Sequence, residues 1–343
     1  MFYINGRFLT QPITGVQRFG IEVTKELDKI VSKNEFEVLA PPGVIHELNL
    51  KNINVRIIGK KSNNIWVQWT LPNYVKKHKG KILTMSGMAP ILNPGYFVAH
   101  DATFCRYPST FSKSFVVSYS IDFKLSLKRC NKIFTISNFS KTELKDVYGL
   151  DDKMFEFVSP SSHHLLNTSH GSSDLNKWNL LNKKYYLSVS SQTIHKNQVY
   201  IYKLAEKYPN ETFVIVGGKP HTFANVENRD VENLLFTGYV TNDELFALYN
   251  NAYGFIFPSL YEGFGLPPLE AITMGVKHIG LSNIDVFKEV YDRGVYRFDP
   301  KDIKGFYIKK MDEIEITKED VEYYWNKYSW EKTARTIYET MKQ

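Results

Sequence analysis

Residues 255–271 read Phe-Ile-Phe-Pro-Ser-Leu-Tyr-Glu-Gly-Phe-Gly-Leu-Pro-Pro-Leu-Glu-Ala. The first three form a short apolar run of the buried-strand kind. Gly263 and Gly265 then allow backbone angles closed to other residues and a close approach to a ligand. Pro267 and Pro268 suit a first helical turn, where a missing N–H costs nothing. Glu270 is expected in that same turn, which favours a negative charge. The order strand, glycine loop, helix start is that of a strand-to-helix turn in an α/β sheet. The N–H groups of Phe264, Gly265 and Leu266 would point out of the helix start, as an anion site requires. Glu262 and Glu270 flank that anion hole. A nucleotide-sugar, with a diphosphate between two sets of hydroxyls, fits the layout. An ordinary turn that happens to hold two glutamates also fits, because glycine loops are weak signals alone.

The other 326 residues supply a setting for such a turn; the full length of 343 favours two domains, each with its own core. Residues 2–4 read as a first strand, and Phe19, Val23, Leu27 and Ile30 recur at helical spacing through 16–31. Gly15 then lies at a helix start, and Arg18 either reaches an anion or is exposed. Strands are expected at 35–40, 55–58 and 96–99, the last with His100-Asp101 at its carboxyl end. In an open α/β sheet that end is where ligands lie, although a His-Asp pair there also serves as a structural hydrogen bond. Residues 106–129 read as a loop and a long helix rich in aromatics and cations. It either lies on a bilayer or packs on its own sheet, and we expect the packing.

Residues 132–144 are strand then helix, with Ser140 and Glu143 at capping-box spacing. The polar, small-residue stretch 167–176 has linker character. A strand at 185–190 leads through His195-Lys196-Asn197 into a helix over 198–208. Lys196 either neutralises a diphosphate at this turn or is a solvated surface lysine. Residues 212–218 form a strand that ends in glycines, and a later helix is capped around Thr241 or Asn242 with Glu244 nearby.

The stretch from Glu262 to Glu270 resembles the E-x7-E signature of the retaining glycosyltransferases of family 4, residue for residue through the loop. That resemblance implies an α/β GT-B fold, two Rossmann-like domains facing each other across a cleft. It implies domains at 1–168 (acceptor side) and 169–325 (donor side), with a closing helix at 326–343 that crosses back to the first. In the family the first Glu contacts the sugar, the second holds the ribose and the loop amides bind the diphosphate. Those roles pass here to Glu262, Glu270 and the stretch Gly263, Phe264, Gly265 and Leu266. His195-Lys196-Asn197 is similar to the family's R-K-N, whose lysine sits on the leaving phosphates; His195 stands where an arginine is common. Gly15 matches a glycine loop that touches donor phosphate or acceptor, with one glycine where many members have two. The resemblance puts His100 beside the reacting sugar, with Asp101 next to it. Ser137 and Gly217 fall in further matching segments. His100, Glu262 and Lys196 are thus the expected catalytic residues.

The implied function is sugar transfer, with retention, from a nucleotide diphosphate sugar to a hydroxyl of a lipid-linked glycan in bacterial surface-polysaccharide synthesis. A nucleotide-sugar epimerase sharing the cleft and a non-catalytic nucleotide-sugar-binding protein are the rivals. No D-x-D pair and no His/Cys/Asp cluster with metal spacing is present, so no metal and no cofactor are expected.

Charge bears on partners. Residues 1–170 hold 22 Lys/Arg against 13 Asp/Glu, a balance of +9, whereas 171–343 hold 21 against 23, a balance of −2. A basic first half attracts phosphates, including those of anionic lipid or a lipid-linked pyrophosphate, or is simply a solvated surface. Its basic cluster at 76–81 has no interleaved aromatics and no base-reading motif around it, which argues against nucleic acid. Cys105 and Cys130 show no metal or redox spacing and suit a reducing compartment. No signal-peptide pattern and no apolar run of about 20 residues is present, so the expected place is the cytoplasm, with peripheral contact at the inner membrane a further expectation.

Overall fold

The computed structural model describes residues 1–167, 175–191, 193–217 and 231–343, with the backbone alone at 113–115 and 166–167. The chain divides into two compact units, Met1–Pro160 with Ser329–Gln343, and Ser161–Tyr328. The expected boundary at 168/169 lies outside the described residues.

The first unit contains β1 (Phe2–Asn5), β2 (Phe36–Ala40), β3 (Asn54–Ile57), β4 (Lys81–Thr84), β5 (Tyr96–Ala99), β6 (Lys132–Thr135) and β7 (Phe155–Phe157). They form one parallel sheet in the order β3-β2-β1-β4-β5-β6-β7. Its helices are α1 (Gly15–Ile30), α2 (Leu71–Lys77), α3 (Thr103–Arg106), α4 (Lys113–Arg129) and α5 (Asn138–Tyr148). A π-helical turn, Trp66–Thr70, leads into α2. The central strands are buried apolar runs such as Tyr-Phe-Val-Ala in β5, whereas the edge strand β3 is exposed along its length, as a sheet covered on both faces at its centre requires.

The second unit contains β8 (Tyr185–Val189), β9 (Thr212–Val216), β10 (Leu234–Gly238), β11 (Gly254–Phe257), β12 (His278–Ser282) and β13 (Val295–Phe298). Its sheet is again parallel, in the order β10-β9-β8-β11-β12-β13. Around it lie α6 (Gln198–Lys207), α7 (Asn242–Asn250), α8 (Leu266–Thr273), α9 (Asp285–Val290), α10 (Ile308–Asp312) and α11 (Lys318–Lys327). The last helix, α12 (Trp330–Lys342), belongs to the first unit. Trp330 packs edge-on to Phe19 of α1 at 5.6 Å, and Thr333 Oγ1 donates to the Ser159 carbonyl.

Two local expectations are corrected. Ser137, not Ser140, caps α5: its backbone is extended and its Oγ accepts from the Ser140 N–H at 3.0 Å. Glu143 is drawn instead to Arg106, whose Nε lies 2.6 Å from its carboxylate. Thr241 does cap α7, with Glu244 completing the box.

Candidate active site

In each sheet the strand order reverses at one point, between β1 and β4 in the first unit and between β8 and β11 in the second. Neighbouring connections there run to opposite faces and leave a crevice outside the carboxyl ends of the strands. In the second unit the two loops beside that crevice are the one after β8, which carries His195 and Lys196, and the one after β11, which carries Glu262 to Leu266.

Sequence-distant hydrogen bonds stitch these loops together. The Leu260 N–H donates to the His195 carbonyl at 2.7 Å. Asn197, in the left-handed region at φ 54°, donates from Nδ2 to the carbonyls of Pro258 at 3.1 Å and Pro300 at 3.0 Å. It thereby ties together the loops after β8, β11 and β13. The result places Lys196 Nζ 2.6 Å from Glu262 Oε1. Both side chains are mostly shielded, 19% and 8% exposed, so this is a charge-assisted bond with limited screening. His195 is buried, with Nε2 3.4 Å from Thr193 Oγ1.

Gly265 turns the chain into α8 at φ +86°, and a Cβ there would stand 2.6 Å from Phe287 Cε1. Its carbonyl accepts from the Tyr291 hydroxyl. The Phe264 ring turns inward, edge-on to Tyr328 at 5.0 Å, so its contribution to a ligand is its N–H. Leu266 is the first residue of α8, and its N–H is among those without an intrahelical partner. Gly263 lies in the same buried loop.

Glu270 is not in the first helical turn; it lies further along α8. Its carboxylate is buried and held at both ends, with Oε1 3.2 Å from His164 Nε2 and Oε2 accepting from the Tyr249 hydroxyl at 3.0 Å. Burial, and then the Glu270 charge, holds the Tyr249 phenol well above its usual range, which keeps it a donor. Neither partner shows in the sequence, since Tyr249 and His164 are fixed by tertiary packing and carry no motif.

The remaining expected residues divide by role. Gly217, at φ +119°, lets β9 close on the loop after β8: a Cβ would lie 2.0 Å from the Ser190 carbonyl oxygen. In the first unit, His100 follows β5 and its Nε2 donates to the Met85 carbonyl, after β4, at 2.8 Å. Burial pushes its imidazole below the ordinary value, against the opposing pull of that carbonyl and of Asp101. A neutral ring whose Nε2 carries the proton presents Nδ1 as an acceptor. Asp101 accepts from the Thr103 N–H at 2.7 Å and so shapes the start of α3. Ser137 is fully buried and spent on its cap. Arg18 is not an exposed helical arginine: its side chain is 15% exposed and lies 3.6 Å from Glu22. Gly15, at the exposed start of α1, has ordinary backbone angles, and an added Cβ would meet nothing within 4 Å. Among the described residues no group of three His, Cys, Asp or Glu side chains could hold a metal ion.

A family model described as glycosyl transferases group 1 matches residues 173–331, which hold the β8 and β11 loops and both glutamates. That match covers 159 of the 343 residues. The O-antigen chain mannosyltransferase RfbU of Salmonella typhimurium is 27% identical over 250 residues, covering 69% of this chain and 66% of that protein. The O-antigen chain mannosyltransferase B of Escherichia coli is 28% identical over 217 residues, 60% of this chain and 57% of that one. The chain thus spans less than two thirds of either relative. Sucrose-phosphate synthase from Thermosynechococcus elongatus superposes with a TM-score of 0.74 at 14% identity, covering 100% of this chain and 98% of the other. The fold is GT-B, with two Rossmann-like units, and the family match falls on the second.

Proposed function

We propose that this protein is a glycosyltransferase of bacterial surface-polysaccharide assembly. It moves a hexosyl group, with mannose the first candidate, from a nucleotide diphosphate sugar to a hydroxyl of a lipid-linked glycan. The anomeric configuration is retained and no metal takes part. The observation that carries this reading is the cationic and dipolar cradle of the second unit. Lys196, the N–H groups at the start of α8 and the two glutamates line one loop system beside the strand reversal. The two mannosyltransferase relatives support the sugar and the process.

In this reading the diphosphate lies against Lys196 and the N–H groups of Gly263, Phe264, Gly265 and Leu266. Positive charge is thus supplied where negative charge grows as the C1–O bond to phosphate breaks. Glu262 holds sugar hydroxyls and Glu270, aimed by Tyr249 and His164, holds the ribose. The acceptor oxygen bonds to C1 on the face the diphosphate leaves, and its proton passes to the departing phosphate oxygen. The centre in between resembles an oxocarbenium ion. His100 Nδ1 accepts from a hydroxyl of the reacting sugar, and Gly15 leaves room for a ligand at the start of α1. The enzyme works at the cytoplasmic face of the inner membrane, in keeping with its basic first half.

The test is a donor panel of UDP-, GDP-, dTDP- and ADP-sugars, with and without crude lipid-linked acceptor, read by mass spectrometry. A hexose gain on the acceptor, with the anomeric configuration of donor and product compared by NMR, supports the reading. Altered free sugar formed equally without acceptor turns it to an epimerase, and nucleotide binding without turnover turns it to a binding protein. Full activity in both Glu262→Ala and Lys196→Ala would overturn the assignment of the site.

A further inference from the structure

The first unit holds a cavity of about 390 Å³ at the amino end of its sheet, opposite the carboxyl ends of the strands. That volume falls within the range of small-ligand sites. Tyr3 pairs with Glu37 across β1 and β2, and Glu37 with Asn54 across β2 and β3, so their side chains share one face. Arg56, two residues beyond Asn54, lies on that face too. Trp66, Val67, Leu71 and Val75, in and just before α2, pack there on Tyr3, Leu39 and Ile82, while the edge strand β3 stays exposed. The cavity opens between that edge and the end of α2, where Tyr74 and His78 form its other wall.

The groups that face this cavity are polar and largely uncommitted. Tyr3 is only 3% exposed, yet among the described residues its hydroxyl has no hydrogen-bond partner. Burial, then Tyr74 and Glu37, raises its phenol, which keeps its proton and can both donate and accept. Glu37 is buried as well, and its Oε1 accepts from Arg56 Nε at 2.7 Å. Its Oε2 is left to accept from another donor, and the exposed Arg56 keeps its Nη groups to donate. Tyr74 and His78 stack at 4.2 Å, and Tyr3 stands edge-on to Tyr74 at 5.9 Å, which makes the wall aromatic. Asn54 adds an exposed amide at the rim.

We propose that this cavity is a saccharide-binding site, separate from the crevice at the carboxyl ends of the strands. A sugar hydroxyl donates and accepts at once, and here Glu37 Oε2, the Tyr3 hydroxyl and the Arg56 Nη groups offer both roles side by side. The C–H faces of a sugar ring suit the aromatic wall of Tyr74 and His78. Charge selects hydroxyls over phosphates: Glu37 and Arg56 cancel each other, and the buried carboxylate opposes an anion. Binding here requires neither donor nor transfer, and so is independent of the reaction proposed above.

The experiment is titration calorimetry of the full chain with mannotetraose, maltotetraose and chitotetraose, without nucleotide. Binding of at least one is expected. Glu37→Gln can still accept from Arg56 but loses its charge towards the cavity, and should weaken that binding roughly tenfold. Tyr3→Phe removes a hydroxyl that holds nothing else in the described protein; it should weaken binding about fivefold and melt like the wild type. Lys196→Met, in the other unit, should leave the affinity unchanged. Failure of all three saccharides to bind, or binding that neither Glu37→Gln nor Tyr3→Phe alters, would overturn the proposal. So would inorganic phosphate that displaces the saccharide and binds more tightly to Glu37→Gln, because the cavity would then be an anion site. A failed donor panel leaves this result standing, and failed saccharide binding leaves the transfer reading standing.

Discussion

Replacing Glu262 by Gln should strengthen binding of a bare nucleotide while it slows transfer. Lys196 is engaged at 2.6 Å by the Glu262 carboxylate. A diphosphate that uses this lysine must share it, and must approach a second negative charge. At about 6 Å and an effective dielectric of about 20, that repulsion is roughly 3 kcal/mol. The part-exposed lysine and surrounding water reduce it to about 1 kcal/mol, or roughly fivefold in Kd. Glu262→Gln should therefore bind GDP or UDP about fivefold more tightly by titration calorimetry, yet turn over more slowly because the sugar loses its carboxylate. Lys196→Met should weaken the same nucleotide by roughly tenfold or more, through the loss of a charge-assisted bond of about 1.5–3 kcal/mol. In the double variant the gain from Glu262→Gln should vanish, since no lysine remains to be released. Lys196→Met also leaves a buried carboxylate without its cation, at a cost of about 2 kcal/mol, or roughly 4–8 °C in the melting of a unit of this size. If Glu262→Gln weakened nucleotide binding as much as Lys196→Met does, the carboxylate would be orienting the lysine rather than competing for it, and the reasoning would fail.

Three further outcomes follow from the geometry. Gly265→Ala should cost both stability and activity, by about 1–3 kcal/mol of backbone strain plus the clash with Phe287, whereas Gly15→Ala should melt like the wild type and lose only transfer; parallel melting and turnover curves check both. Tyr249→Phe removes one donor from Glu270 and should raise the donor KM roughly fivefold, from about 1 kcal/mol, in steady-state kinetics. His100 is held below its ordinary value of 6.5 by burial. Between that folded value and 6.5 the unfolded chain binds the extra proton, so stability should be full above about 6.5 and fall as the pH drops towards the folded value. Denaturant titrations of His100→Gln across that range should show a flatter fall than the wild type.

What could be read from the chain was local. The run from Phe255 to the start of α8 combines an apolar strand, glycines and prolines, and each acts on its own backbone within a few residues. The α1 helix was legible for the same reason, through the spacing of Phe19, Val23, Leu27 and Ile30. The α5 cap was misread because two serines three residues apart both offer a hydroxyl; Ser137 wins by having the extended backbone a cap needs. Glu143 was lost to Arg106, a partner 37 residues away that no capping pattern anticipates. The aiming of Glu270 by Tyr249 and His164, and the tether from Asn197 to Pro258 and Pro300, are likewise long-range bonds that no spacing rule contains. The unit division at Pro160/Ser161 escapes composition because the residues just after it are spoken for: Ser162 bonds Thr273, and His163 stacks on Trp325 at 3.6 Å.

The passage of the chain back into the first unit at Ser329 makes the whole second unit an insertion within the first. During synthesis the face of α1 around Phe19 stays uncovered until Trp330 has left the ribosome, by which time the second unit has its complete sequence. The order of birth along the chain is therefore not the order of completion. A nonsense codon at position 329 would spare every donor-side residue named above and still strip the first unit of the helix that covers α1, so its product should be recognised by proteases as an unfinished protein.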